Sequence, residues 1–277
     1  MPTPSPSAPE RCEPLLRWAG SKRQLRARLH KYWRPSFVRY VEPFAGSCSL
    51  FFWLAPARAI LSDKNPELVE VYRVLAQRPD ELHRAASYYP STKGSYYTLR
   101  SLDTTHLPPL ARAARFVFLN RYCFNGIYRT NRAGRFNVPF SPSKTGALPS
   151  VESFRACARA LSGASLHAAD FGSVLRHTRP GDFVYLDPPY ATSKRRVFTE
   201  YGPRPFDRSD LDRLKYHLLH LDSRGVAFVL SYADCPELRT MCRKWRFQRV
   251  VVRRNIAGFQ NARRHARELI VSNIRAD

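Results

Sequence analysis

The sequence predicts an α/β fold: a mostly parallel sheet with helices on both faces, interrupted by an inserted, mostly helical segment that carries a β-hairpin. Three observations predict it. Short apolar runs alternate with helical periodicities in two blocks, 14–65 and 151–277. Several of those runs stop at a residue able to do chemistry, and in open α/β sheets ligands bind beyond the carboxyl ends of the strands. The stretch between the blocks, 66–150, reads as helical apart from two extended arms at 126–140. Residues 1–13 begin MPTPSPSAPE and are expected to form a disordered tail.

The elements follow in order. LLRWAGSKRQL (15–25) leads into a basic helix. Arg39, Tyr40 and Val41 form a short strand that ends in EPFAGSCSLFFWL, whose apolar part is helical. Ala59, Ile60 and Leu61 form the next strand, ending at Ser62 and Asp63. Asn65 caps a helix with Pro66 at its first position, and Leu68, Val71, Tyr72 and Leu75 form its apolar stripe. LARAARFVFLNRYCF is helical, and GIYRTNRAGRFNVPF (126–140) makes two short arms around a turn at Asn131–Gly134. The second block contributes strands at Phe183–Leu186, Val226–Ser231, Gln248–Val252 and Glu268–Ser272. A helix over 210–221 presents Leu211, Leu214, Leu218 and Leu221 on one face, with Ser209 as its cap.

Composition narrows the function classes. Lys and Arg total 46 against 22 acids, a formal +24, which favours a polyanionic partner and above all nucleic acid. The basic residues are spread along the chain, so a folded basic face is expected. No apolar run is long enough for a membrane span, and the N-terminus lacks the charged and apolar regions of a secretory signal. Six cysteines stand at irregular spacings without a C-x-x-C pair. They read as reduced thiols of a cytoplasmic protein, with no metal site.

Two stretches carry chemistry. Phe44-Ala45-Gly46-Ser47 makes a small turn after a strand, where a ligand can approach the backbone closely. Asp63, at the end of the next strand, is placed to accept from a ribose diol. Without a full G-x-G-x-x-G, this pair points to a nucleoside cofactor lacking a pyrophosphate, S-adenosyl-L-methionine rather than NAD. VYLDPPY (184–190) runs from a buried strand into a carboxylate, two prolines and a tyrosine. Proline fixes φ and removes a donor, so Asp187, Pro188 and Tyr190 sit on a rigid ledge.

RWAGSK (17–22), VEPFAGSCS (41–49), SDKNPELVEVY (62–72), LNRYCFNGIYRTNRAGRFNVPF (119–140), DPPY (187–190) and ELIVSN (268–273) occur in this order. With them the chain resembles the Dam-like family of DNA adenine-N6 methyltransferases across almost its whole length. The resemblance implies a Rossmann-like methyltransferase sheet with an inserted target-recognition domain at 66–150. It implies methyl-donor contacts at Trp18, Lys22, Asp63 and Asp187, with Phe44 and Gly46 in the turn beneath. It implies a catalytic pocket at Asp187, Pro188 and Tyr190. It places Phe124 and Asn125 where the family enters the duplex, and Arg129 and Pro139 at base-reading positions. Arg17 stands where the best-known GATC enzymes carry lysine, at a position that can contact guanine, and an arginine there can do so bidentately. Phe124 replaces a common tyrosine, and Ser141–Lys144 replaces an aromatic and basic stretch.

Adenine N6 is a weak nucleophile because its lone pair is delocalised into the ring. Two acceptors aimed at its hydrogens, the Asp187 carboxylate and the Pro188 carbonyl, would localise that pair. Tyr190 would stack on the extruded base. The expected partner is double-stranded DNA in a bacterial or phage-infected cell, near the nucleoid, with the oligomeric state open and a monomer favoured. A loop over 193–205 is expected to order over the flipped base. An N4-cytosine or RNA adenine methyltransferase would use the same pocket, and a silent DNA-binding relative would keep the fold.

Overall fold

The computed structural model describes residues 10–131, 134–141, 147–191, 206–253 and 265–277. The chain begins with a 3-10 turn at Arg23–Leu25 and the short helix α1 (Arg26–His30). Then come β1 (Arg39–Glu42), α2 (Ser49–Leu54) and β2 (Ala59–Asp63). Four helices follow: α3 (Pro66–Gln77), α4 (Pro79–Ser87), α5 (Lys93–Ser101) and α6 (Pro109–Tyr122). The remainder is α7 (Val151–Leu161), β3 (Ala164–Ala168), α8 (Phe171–Leu175), β4 (Asp182–Leu186), α9 (Arg208–Ser223), β5 (Ala227–Ala233), α10 (Pro236–Cys242), β6 (Arg246–Arg253) and β7 (His265–Ser272).

The seven strands lie in the order β3-β2-β1-β4-β5-β7-β6. Neighbours from β3 through β5 run parallel, while β7 is antiparallel to both β5 and β6. The winding direction reverses between β1 and β4, so their carboxyl ends flank the crevice where such sheets take ligands. The reason β4 sits centrally is its composition. All five of its residues are buried, with Phe183 and Tyr185 in one core cluster and Val184 and Leu186 in the other. Alternate side chains thus fill both faces. Asp182 starts the strand because Arg39, opposite it on β1, grips its carboxylate through Nε (3.0 Å) and Nη2 (2.7 Å).

The predicted cap of α3 is present. The Asn65 side chain accepts from the amides of Glu67 (3.0 Å) and Leu68 (3.2 Å), and the predicted stripe is fully buried. The cap of α9 differs from expectation. Asp207, not Ser209, holds the helix start in a capping box with Asp210, and the Ser209 hydroxyl donates to Asp207 at 2.6 Å. Strand β3 was not expected, because ASLHA has no apolar run and lies mostly exposed at the sheet edge. Gly163 before it is needed for close approach, since a Cβ there would meet the Ala57 carbonyl oxygen at 2.1 Å.

Helices α3 to α6 account for the helical reading of the middle segment, and α3 packs on both the sheet edge and α6. The hairpin exists as two single bridges, Cys123 with Phe140 and Thr130 with Phe136, not as a ladder. Its arms are also tied by Asn137 N to the Arg129 carbonyl at 3.1 Å. Residues 10–13 of the expected tail are docked: Cys12 N donates to the Phe52 carbonyl, and Glu13 pairs with Arg26 at 2.7 Å. The loop expected at 193–205 lies outside the described residues. All six cysteines are free.

Phe183 is fully buried against Trp33, Phe37 and Tyr40. Phe183→Ala is therefore expected to cost about 3–5 kcal/mol, read as a lowered urea midpoint at unchanged slope.

Candidate active site

Asp187 follows directly on β4, and the two prolines after it prevent the ladder from continuing. Its Oδ1 takes the Lys22 ammonium at 2.6 Å and the Ser231 hydroxyl at 3.1 Å. Ser231 lies on β5, the neighbouring strand, and its hydroxyl is 2.9 Å from that of Tyr185 on β4. A relay of hydroxyls thus fixes the carboxylate from below. The Asp187 side chain remains 18% exposed, so it is reachable from the crevice. Burial pushes its acid up from the ordinary carboxylate value, and Lys22 opposes that shift. Burial disfavours the Lys22 charge in turn, but Asp187, Tyr190 and Glu268 outweigh it and hold the ammonium well protonated.

Tyr190 is fixed at its tip and its edge. Its hydroxyl donates to Glu268 Oε1 on β7 at 2.8 Å, and its ring meets Tyr232 of β5 edge-on at 5.1 Å. Lys22 Nζ lies over the ring, 5.6 Å from its centre. Tyr232 in turn accepts from the Ala191 amide at 2.6 Å, anchoring the chain just after the ledge. Pro188 is buried beneath.

The second half of the crevice is built from β1 and β2. Gly46 has φ +47°, and a Cβ on it would meet Trp18 Cδ1 at 2.8 Å, so the indole lies directly on the turn. The Gly46 amide donates to Asp63 Oδ2 (3.0 Å) and the Asn65 amide to Oδ1 (2.9 Å). These bonds hold the aspartate's charge while burial pushes its pKa up. Phe44 stacks on Phe171 at 5.1 Å, and the Ala169 amide donates to the Asp63 carbonyl at 3.1 Å. Glu42, at the end of β1, is fully enclosed. Burial pushes its carboxyl well above the usual range, and the Tyr40 hydroxyl, at 2.9 Å, works against that shift.

The structure therefore brings Lys22, Asp187 and Tyr190 together, and separately Trp18, Gly46 and Asp63. The residues expected to face DNA form a third group. Arg17 is clamped by its backbone: its N–H donates to Asn120 Oδ1 (2.9 Å), and Asn120 Nδ2 donates to its carbonyl (2.8 Å). Phe124 N donates to the Pro139 carbonyl at 2.8 Å, so Phe124 and the far hairpin arm share one backbone bond. Asn125 takes φ +56°, setting the turn, and Gly126 packs so tightly on Arg17 that a Cβ would meet its Cβ at 2.4 Å. Arg129 Nε donates to Asn137 Oδ1 across the hairpin at 2.8 Å.

Sequence reasoning assigned no role to Ser231, Phe171, Glu42 and Glu268, and placed Tyr232 near the pocket, after a strand, without giving it a direct role. Glu42 and Glu268 left a trace as acids in VEPFAGSCS and ELIVSN. Among the described residues no cluster of His, Cys, Asp or Glu is arranged to hold a metal, and no helix is long and apolar enough to cross a membrane.

A seven-stranded sheet with one reversed strand, and an acid-proline ledge at its switch point, defines an α/β enzyme working on a ligand held above the strand ends. Residues 18–256 match the D12 class N6 adenine-specific DNA methyltransferases, and the chain belongs to that family. It is 31% identical over 269 residues to the type II methyltransferase M1.LlaDCHI of Lactococcus lactis subsp. cremoris, covering 94% of this chain and 95% of that one. To the DNA adenine methylase of Escherichia coli K12 it is 31% identical over 261 residues, covering 92% and 93%. To the type II methyltransferase M.MjaIII of Methanocaldococcus jannaschii it is 30% identical over 241 residues, covering 79% and 83%. The chain is an adenine-specific DNA methyltransferase, which sets aside the cytosine and RNA alternatives.

Gly46→Ala forces a left-handed backbone on alanine and drives a methyl into Trp18. It is expected to cost about 1–3 kcal/mol, read by thermal unfolding, and to alter the near-ultraviolet dichroism of the indole.

Proposed function

We propose that this enzyme uses S-adenosyl-L-methionine to methylate N6 of an adenine extruded from duplex DNA at a short specific site, with Asp187 as the residue that engages the amine. The observation that carries this reading is the placement of Asp187. It is held on a rigid ledge at the sheet's switch point, oriented by Lys22 and Ser231, and open on one side.

The residues present fit the cofactor. The Trp18 indole lies against the side-chain-free Gly46 turn, and Asp63 is fixed by two backbone amides with lone pairs to spare for a ribose diol. Trp18, Lys22, Phe44, Gly46, Asp63 and Asp187 would hold it. When bound, the cofactor supplies a methyl already activated on a sulfonium, so no covalent enzyme nucleophile is required.

The chain's own part is positioning and electrostatics. Asp187 and the Pro188 carbonyl accept from the two amine hydrogens, and the fixed φ of proline keeps the carbonyl aimed. Tyr190, held by Glu268 and Tyr232, offers its ring to the base. Residues 66–150 form the recognition part, where Arg129 and Pro139 read bases, Phe124 and Asn125 occupy the gap left by the extruded base, and Arg17 contributes from the adjoining segment. The net charge of +24 supplies the phosphate attraction.

Methylation-sensitive sequencing of DNA from cells expressing the chain tests the reading, which predicts N6-methyladenine in one short motif. Unmodified DNA would refute it. Asp187→Ala is expected to slow single-turnover methylation by about 10²- to 10⁴-fold while duplex binding persists. The pH dependence has a definite sign. Asp187 accepts only when ionised, so the rate falls as pH drops through its pKa. Lys22 lowers that pKa. Lys22→Met is therefore expected to move the acid limb to higher pH at saturating cofactor, and an unmoved limb would contradict the electrostatic role.

A further inference from the structure

We propose that Tyr128 is a positioning residue that couples the cofactor site to the DNA-reading hairpin, so that filling either site strengthens binding at the other. The inference rests on the reading above, in which Trp18 and Asp63 hold the cofactor and Arg129 and Pro139 face DNA.

Tyr128 touches every part that such coupling needs. Its ring stacks on Trp18, 5.7 Å between centres and 20° apart in plane, and Trp18 is the indole pressed on the Gly46 turn. It also stacks on Phe116 of α6, at 5.3 Å and 21°. The Tyr128 hydroxyl donates to Glu67 Oε2 at 2.8 Å. From there hydrogen bonds run back to the cofactor aspartate: Glu67 N to Asn65 Oδ1 at 3.0 Å, and Asn65 N to Asp63 Oδ1 at 2.9 Å. One ring thus answers to both Trp18 and Asp63.

On the hairpin side, Tyr128 directly precedes Arg129, whose guanidinium bonds Asn137 on the facing arm. Its ring also meets Phe136 of that arm at 5.7 Å. Among the described residues the arms are joined by isolated bridges and scattered backbone bonds, not by a ladder, so the hairpin's position depends also on what its base packs against. Tyr128 is 7% exposed, and the cavity beside it, between Glu67, Arg115 and Phe136, is only about 10 Å³. The ring cannot shift without moving Trp18, Phe116 or the arms. A cofactor that fixes Trp18 therefore fixes the base of the hairpin, and DNA then meets a surface with less left to order. By linkage the effect is reciprocal.

The test is a binding cycle with the full chain. Affinity for a duplex carrying the methylated motif is measured with and without S-adenosylhomocysteine, in wild type, Tyr128→Phe and Tyr128→Leu. Wild type is expected to gain duplex affinity by a factor within about 5 to 150 when S-adenosylhomocysteine is present. Tyr128→Phe keeps the stack and should retain most of that factor. Tyr128→Leu should bring it to unity while affinity for S-adenosylhomocysteine alone stays near wild type. Should the leucine variant not fold, Tyr128→Met is the milder replacement with the same expectation. A purely structural role would weaken both affinities and leave their ratio intact. A ratio unchanged in the leucine or methionine variant, or a wild-type ratio of one, overturns the inference and leaves the methyltransferase reading standing. Failure of that reading looks different: wild type then does not bind S-adenosylhomocysteine, and the inference falls with it.

Discussion

A carboxylate at the end of a buried strand has to be compensated, and the pairing of Asp187 with Lys22 is the constraint around which the rest is arranged. Lys22 does not belong to the sheet. It arrives on the N-terminal segment, which must lie across the strand ends to deliver it. Leu15 and Leu16 bury that segment in the core, and Asn120 clamps the Arg17 backbone from α6. The same few residues therefore carry the cation for Asp187, the indole over the Gly46 turn and the first contact with α6.

Rigidity at the ledge has two sources. The prolines remove backbone freedom, and hydrogen bonds from neighbouring strands remove side-chain freedom. Ser231 fixes Asp187 and Glu268 fixes Tyr190, and both come from strands beside β4 or one further on. Asp187 and Glu268 add negative potential around Lys22, which explains why it stays charged despite deep burial. The remaining open side of Asp187 is the part that a substrate amine can use.

Legibility in the sequence followed range. Strand β4, the Asn65 cap and the apolar stripe of α3 were legible because each is written in consecutive or helically spaced residues. Asp187 and Asp63 were legible at strand ends, and Gly46 in the turn after a strand. Ser231 and Glu268 were not, because their role comes from β5 lying beside β4 and β7 one strand further on, and an antiparallel β7 inserted between β5 and β6 leaves no local mark. Strand β3 was missed because an exposed edge strand carries no apolar pattern. The α9 cap was misplaced by two residues because serine and aspartate compete for the same position and both have an acid three residues on, Asp210 for Asp207 and Asp212 for Ser209; the box closes on the first pair. Tyr128 read as part of a hairpin arm, and its contacts with Trp18 and Glu67 join segments far apart in the chain.

The account stands on the amine being held between an acid and a peptide oxygen. A crystal structure with S-adenosylhomocysteine and a duplex carrying the target motif tests this directly. The predicted result is an adenine outside the duplex with N6 at hydrogen-bonding distance, about 3 Å, from both the Asp187 carboxylate and the Pro188 carbonyl. An adenine still stacked in the helix, or extruded with its N6 turned away from Asp187, would contradict it.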